Sequence, residues 1–263
     1  MKITIERGAL LKALNHVQSV VERRNTIPIL ANVLLSAEDG QLSLTSTDLD
    51  IEIVEGVPAD VASGGGTTAP AHTMYDIVRK LPDGAQVEIN HDAETGKVTV
   101  VAGRSRFALQ SLPREDFPAA AAGDMPYSFE IPTKDLFRLI EKTRFAISTE
   151  ETRYYLNGIY LHTVEGKLRA VATDGHRLAR VDMPMPGGAD GMPGIIVPRK
   201  TVTELLKLLE TGDDTVKIAV SETKIRFDLG GVTLTSKLID GTFPDYGRVI
   251  PSENDKSMEV DGK

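Results

Sequence analysis

The chain has 263 residues, 41% of them hydrophobic, which is room for two domains with a real core in each. It has no cysteine, so a disulfide framework, a thiolate metal site and a cysteine nucleophile are all excluded. The start, Met1-Lys-Ile-Thr-Ile, reads as a strand rather than a signal peptide, no apolar run approaches a membrane span, and a cytoplasmic protein is expected, while the net charge of −8 argues at first sight against nucleic acid.

Lys2 to Glu6 alternates as a first strand. Leu10, Leu11, Leu14, Val17, Val20 and Val21 recur at spacings of three and four, which predicts an amphipathic helix from Gly8 to Arg24 with Lys12, His16, Arg23 and Arg24 on its polar face. Ile27-Pro28 ends it, and strands follow at Val33–Leu35, Leu42–Thr45 and Ile51–Val54. Ser63-Gly-Gly-Gly-Thr67 lacks the Lys-Ser/Thr and the helix of a P-loop, so it reads as a surface loop. A short helix is predicted over His72 to Leu81, then strands at Gln86–Asn90, Lys97–Ala102 and Arg106–Leu112. Pro113 to Pro126 reads as a linker.

The plan then repeats. Ser128–Ile131 is a strand, and Thr133 is expected to cap a helix reaching about Ile147, with Leu136, Phe137, Leu139, Ile140 and Phe145 apolar. Strands around Leu156 to Thr163 lead into Leu168–Val181, a hairpin whose turn is Thr173-Asp174-Gly175. Pro184 to Pro193 is a Gly/Pro loop, Ile195–Pro198 a strand and Lys200–Leu209 a helix. Strands at Val216–Val220, Lys224–Leu229 and Val232–Leu238 close the unit, for roughly seven or eight strands and two helices per repeat.

The repetition is visible residue by residue. Moving back by 126 positions turns Thr173-Asp174 into Thr47-Asp48, Leu168 into Leu42, Gly166 into Gly40, Leu161 into Leu35, Leu156 into Leu30 and Thr152 into Thr26. These are seven identities in the 23 positions 26–48 without a gap, where chance gives roughly one or two. Leu10 likewise maps to Leu136, and Phe117-Pro118 to Phe243-Pro244. A repeat this long is a whole domain. Ser257-Met-Glu-Val-Asp-Gly-Lys263 resembles Ser128-Phe-Glu-Ile-Pro-Thr-Lys134, as though a third copy begins there. The expected division is residues 1–124, residues 125–254 and, at 255–263, the first strand of a third, truncated copy.

Charge is unevenly placed. Residues 7–24, 72–80, 133–147 and 199–210, which hold the four predicted helices, carry +3, +1, +2 and +1, so the remainder of the chain carries −15. Repeats packed side by side would line one surface with these basic helices, which suits phosphates contacted without reading sequence. No catalytic constellation is present. His16, His72, His91, His162 and His176 show no metal-ligand spacing, and there is no Gly-x-Ser-x-Gly, GxGxxG or H-E-x-x-H. No metal and no cofactor are expected. A small-molecule enzyme on a duplicated α+β domain remains the alternative, through residues scattered in sequence.

Tyr154-Tyr-Leu-Asn-Gly158, Ala172-Thr-Asp-Gly-His-Arg-Leu178, Val197-Pro-Arg-Lys200 and Phe243-Pro-Asp-Tyr246 resemble the bacterial β sliding clamps, the processivity subunits of DNA polymerase III, over the whole chain. The resemblance implies an α+β fold of tandem clamp domains, each with antiparallel sheets outside and two helices on the inner face. It implies a non-catalytic clamp that tethers the replicative polymerase to duplex DNA, independently of sequence, and serves as a docking hub. The implied partners are the polymerase α subunit, the clamp loader, translesion polymerases, mismatch-repair proteins and ligase, each through a short Gln-x-x-Leu-Phe-like segment. The implied cleft for that segment is Leu156, Thr173, Gly175, His176, Arg177, Leu178, Pro244, Arg248 and Val249, and the implied DNA contacts are Arg24, Tyr154, Tyr155, Arg199 and Lys200. His72, where relatives can have a basic residue, and Glu150, in place of an amide, depart from the pattern. A full-length subunit would form a head-to-tail homodimer ring; the truncated form is expected to be monomeric.

Overall fold

The structure is a computed structural model that describes residues 1–118, 123–210, 214–251 and 255–261. Each unit consists of two strand–helix–strands halves. The first half contains β1 (Lys2–Glu6), α1 (Arg7–Val17), β2 (Asn32–Glu38), β3 (Gln41–Thr47), β4 (Ile51–Pro58) and a short β5 (Asp60–Ser63). The next contains β6 (Gly65–Pro70), α2 (Ala71–Lys80), β7 (Gln86–Asp92), β8 (Lys97–Ala102) and β9 (Ser105–Gln110). The second unit repeats this as β10 (Tyr127–Pro132), α3 (Thr133–Glu141), β11 (Gly158–Val164), β12 (Lys167–Thr173) and β13 (Leu178–Pro184), then β14 (Ile195–Pro198), α4 (Arg199–Leu209), β15 (Thr215–Val220), β16 (Lys224–Leu229) and β17 (Val232–Lys237). Adding 126 to the bounds of β2 and β3 gives those of β11 and β12.

In every half a strand runs straight into a helix. At α2, α3 and α4 the joint is a proline, Pro70, Pro132 or Pro198. Its fixed φ suits the turn into a helix, where a missing N–H costs nothing. At α1 the joint is Glu6, whose carboxylate accepts the Ala9 N–H at 2.9 Å. Thr133 is therefore the first helical residue and not the cap expected of it.

Two helices are shorter than their apolar stripes. α1 stops at Val17 rather than Arg24, because the Ser19 hydroxyl donates to the His16 carbonyl at 2.7 Å and the chain continues as tight turns. Val20 and Val21 remain buried in those turns, so the stripe outlasts the helix. α3 stops at Glu141 rather than Ile147; the Thr143 hydroxyl donates to the Leu139 carbonyl at 2.6 Å, and Phe145 ends 55% exposed. The Ser63–Thr67 stretch is no loop: only Gly64 separates β5 from β6, whose Gly65–Thr67 pair with Ala37–Leu35 of β2. β5 and β6 bring the first unit to nine strands among the described residues.

The halves exchange their first strands. β1 pairs with β7, and β6 with β2; β10 pairs with β15, and β14 with β11. The result is a five-stranded sheet β5-β1-β7-β8-β9, a four-stranded sheet β13-β12-β11-β14, and an eight-stranded sheet β10-β15-β16-β17-β4-β3-β2-β6 that crosses from one unit to the other. The crossing point is the antiparallel pair β17–β4, with Leu234 opposite Ile53, both fully buried. α1 packs on α2 and α3 on α4, and one apolar core runs beneath both pairs. Residues 255–261 are exposed and form no strand, against expectation.

Polar groups lock the seam. β4 places Ile51, Ile53, Glu55 and Val57 on one side, and the buried Glu55 carboxylate meets the buried His16 Nδ1 at 2.8 Å. His16 was expected on a polar face; it is buried because α1 lies over β4. Gly56 N–H donates to Gly231 at 3.1 Å and Lys237 N–H to Asp50 at 2.8 Å. The Lys200 ammonium lies between Asp48, Glu22 and the Val20 carbonyl. Removing the Leu234 side chain should cost about 2–5 kcal/mol. In calorimetry we expect the two units to melt together in the parent, since they share one core, and in separate steps in Leu234→Ala. A single unshifted transition would show that the seam does not couple them.

Candidate functional site

The hairpin turn at 173–178 is built by its own side chains. The Asp174 carboxylate accepts the N–H groups of His176 and Arg177, each at 2.9 Å, and the Arg177 guanidinium, also at 2.9 Å. The Thr173 hydroxyl donates to the Arg177 carbonyl at 2.8 Å and accepts the Gly175 N–H at 3.1 Å. Gly175 has φ of +89°, and a Cβ there would strike the Arg153 guanidinium, which donates to the Asp174 carbonyl at 3.0 Å. The return strand therefore begins at Leu178, two residues later than the pattern suggests, because His176 and Arg177 belong to the turn.

The first unit carries the same turn. The Asp48 carboxylate accepts Asp50 N–H at 2.9 Å and Ile51 N–H at 2.8 Å, and Thr47 donates to the Ile51 carbonyl at 2.8 Å. Leu49, in the place of Gly175, is held at φ of +80°. The two turns differ in what the second carboxylate oxygen does. That of Asp48 holds Lys200 of the other unit, whereas that of Asp174 holds Arg177 of its own turn.

Beneath the second turn lies a small apolar floor separate from the main core: Leu156, Val171, Ile196 and Phe243, flanked by Leu178 and Tyr246. Among the expected cleft residues, Leu156 and Leu178 thus meet in one cluster, and Thr173, Gly175, His176 and Arg177 form the turn at its rim. Pro244, Arg248 and Val249 belong to the segment that crosses over the floor; Arg248 pairs with Asp245 at 2.8 Å, and Val249 is 70% exposed. The sequence reading missed the residues that hold that segment. Tyr160 stacks on Phe243 at 4.8 Å, and the Tyr246 hydroxyl meets His162 Nε2 at 2.9 Å and Arg169 at 3.2 Å. Arg169 is itself clamped in a two-pronged pair by Asp182, at 2.7 and 2.8 Å. Arg153 was missed too; its neighbours Glu150 and Tyr154 were the only hint.

The residues expected to meet DNA converge where the units join. The turn after α1 brings Glu22, and with it Arg24, to Lys200 at the start of α4. Arg199 N–H donates to the Asn157 carbonyl at 3.0 Å, which places Tyr154 and Tyr155 beside it. Arg24, Arg199 and Tyr154 are exposed, and Tyr155 is half-buried in an edge contact with Tyr154. Lys200 differs from the others in being committed to Asp48 and Glu22. Burial would lower its pKa, but those hydrogen bonds and charges outweigh it and the net shift is upward. As far as the ammonium is concerned, the contact is therefore present through neutral pH and lost in alkali, as pH rises through that raised pKa. His72 has both ring nitrogens engaged, by Gln18 at 2.8 Å and the Val21 carbonyl at 2.9 Å, and ties α2 to the turn after α1. Glu150 is held by Arg153 at 2.7 and 2.9 Å.

Two like units, each with antiparallel sheets and a packed pair of helices, are the architecture of tandem clamp domains. Sequence comparison gives the same class and a family. The DNA polymerase III beta subunit N-terminal domain matches residues 1–121, and its central domain matches residues 130–245. The Beta sliding clamp of Caulobacter vibrioides (strain NA1000 / CB15N) is 58% identical over 265 residues, covering 99% of this chain and 71% of its own. That of Escherichia coli (strain K12) is 44% identical over 261 residues, with 99% and 70% covered. Among solved structures, Caulobacter crescentus pol III beta superposes with a TM-score of 0.94 at 60% identity, over 97% of this chain and 70% of that one. A DnaN sliding clamp from Bartonella birtlesii bound to griselimycin does so with a TM-score of 0.94 at 54% identity, over 97% and 69%. The chain belongs to the family of bacterial DNA polymerase III beta subunits, the beta sliding clamps. It is a sliding DNA clamp, a processivity factor without chemistry of its own, and the enzyme reading is not supported.

The backbone N–H groups of Arg177 and His176, with the Arg177 guanidinium, hold the Asp174 pKa down to about 2. A depressed carboxylate contributes stability above its unfolded pKa and loses that contribution as pH falls through the folded value. The turn should therefore persist at pH 3 and open toward pH 2. Carboxyl-carbon NMR checks this; an Asp174 midpoint in the ordinary aspartate range would show that the turn is not formed in solution.

Proposed function

We propose that the rim of the second unit takes up the short linear segments of clamp partners. The observation that carries this reading is an exposed, rigid turn, Thr173–Arg177, standing over the apolar floor of Leu156, Leu178 and Phe243. Leu156, Leu178, Pro244 and Val249 offer an apolar socket for leucine and aromatic anchors, and His176, Arg177 and Arg248 supply polar contacts at its edge. The griselimycin-bound clamp of a relative supports a ligand site on this scaffold. The partners that fit are the replicative polymerase α subunit, the clamp loader, translesion polymerases, mismatch-repair proteins and ligase. For a Gln-Ala-Ala-Leu-Phe peptide, His176→Ala with Leu178→Ala should lower affinity at least ~10-fold, as expected for loss of a buried anchor contact. Calorimetric titration of the folded double variant decides it, and unchanged affinity would remove the cleft assignment.

The face bearing Arg24, Tyr154, Tyr155, Arg199 and Lys200 is proposed to ride on duplex phosphates without reading bases. The division at residues 1–124, 125–254 and 255–263 follows the repeat. Assembly follows the sheets. Among the described residues β13 and β9 each pair on one side, and they are the counterparts of β4 and β17, which pair with each other at the seam. A further unit can add at either edge by the same pairing, and closure of such additions gives a ring. Arg24→Glu with Arg199→Glu should weaken duplex binding and reduce its dependence on log salt by about 2. Lys200→Glu is the poorer test, since it would set a third carboxylate against Asp48 and Glu22 at the seam. Binding by the double variant with an unchanged salt slope would count against this face.

A further inference from the structure

The repeat that duplicates the turn also duplicates what lies beneath it. In the first unit Ile29, Leu30 and Phe117 form a small apolar cluster flanked by Leu34 and Leu112. Moved forward by 126, Leu30 becomes Leu156, Phe117 becomes Phe243 and Leu34 becomes Tyr160, the floor and stacking partner of the second unit's cleft. The Thr47–Ile51 turn of this unit has the same hydrogen bonds as its counterpart. Beside it is an open cavity of about 220 Å³, lined by Thr47, Leu49, Glu52 and Pro118 of the first unit and by Lys224 and Thr235 of the second. Thr47, Leu49, Glu52 and Pro118 are the counterparts of Thr173, Gly175, Leu178 and Pro244. The far wall comes from β17, which pairs with β4 at the seam.

We propose that this junction is a second peptide-binding cleft, which takes one apolar side chain of a short extended segment carrying no net charge. The size follows from Leu49. Where Gly175 keeps the second unit's rim low, Leu49 raises the first, and it stands 45% exposed at the mouth in a left-handed conformation that a leucine adopts only under constraint. The constraint is visible: the Leu49 N–H donates to Thr47 at 3.0 Å, and Asp48 is fixed on both sides by the turn and by Lys200. The charge follows from the walls. Asp50 is paired with Lys237 at 3.0 Å, and Glu52 sits within the field of Lys224, so two carboxylates and two ammonium groups offset each other. Burial raises the Glu52 pKa against the pull of Lys224, which makes it a poorly hydrated acceptor for a backbone N–H of the segment.

This rests on reading the second unit's cleft as a peptide site, and the two are separable by methyl NMR of the full chain titrated with a Gln-Ala-Ala-Leu-Phe peptide. The expected result is that Leu49 and Ile51 move as well as Leu178 and Val249, the first pair more weakly and with little change between low and high salt. Thr235→Trp, which fills the cavity, should abolish the first pair's response and leave the second pair's intact. If Thr235→Trp does not fold, Leu49→Gly with Glu52→Leu should tighten binding, read at the Ile51 methyls, at least ~10-fold by making the site resemble its counterpart. Movement of Leu178 and Val249 alone overturns the second site and leaves the first reading standing. Movement of neither pair overturns both. Movement of Leu49 and Ile51 alone supports the second site and overturns the cleft at Leu178.

Discussion

Strand β17 of the second unit lies antiparallel on β4 of the first, and nearly everything else about the molecule is placed by that pairing. It turns two domains into one eight-stranded sheet, so the apolar faces of both can share one core under the four helices. It sets the start of α4 against the turn after α1, which gathers Arg24, Arg199 and the Tyr154–Tyr155 pair at one place. A ladder of backbone hydrogen bonds is directional and fixes register, which apolar contact alone does not. Glu55 and His16, buried against each other beside the ladder, both belong to the first unit and hold α1 on β4, the strand that receives β17.

The duplicated Thr-Asp turn shows how one backbone device serves two ends. In both copies the aspartate caps two backbone N–H groups and the threonine closes the loop. In the first copy the spare carboxylate oxygen reaches Lys200 across the seam, and the turn becomes part of the joint. In the second copy that oxygen turns to its own Arg177, and the turn stands exposed over its floor. Gly175 against Leu49 is the same contrast at the backbone. The glycine leaves room for Arg153, while the leucine carries an apolar side chain in a conformation that only the surrounding hydrogen bonds sustain.

The acidic net charge and a DNA-binding role are reconciled by position rather than by count. Several bases that the helix tally credited to a DNA face are spent inside the protein. Arg7 bonds Asp83 at 2.6 Å, Arg144 bonds Glu141 at 2.7 Å, and Lys200 closes the seam. Surface pairs of this kind add little stability, but they remove charge from the face. Arg23, Arg24 and Arg199 stay exposed near the junction.

The sequence by itself determined the repeat, the clamp family and the order of strands and helices, because periodicity, prolines and the Thr-Asp turns are local signals. Leu156 and Leu178, singled out by the resemblance to the clamp family, meet in one apolar cluster. The sequence did not determine where α1 and α3 end, because Val20 and Val21 keep a helical spacing in a chain that Ser19 has already turned. Nor did it show that His16 is buried, that the glycine run carries β5 into β6, or that Lys200 belongs to the joint. Each depends on a partner far away in sequence: Glu55 for His16, β2 for β6, Asp48 for Lys200. Only the tertiary structure decides which residues become neighbours when β17 meets β4, and that pairing made one turn a joint and left the other a rim.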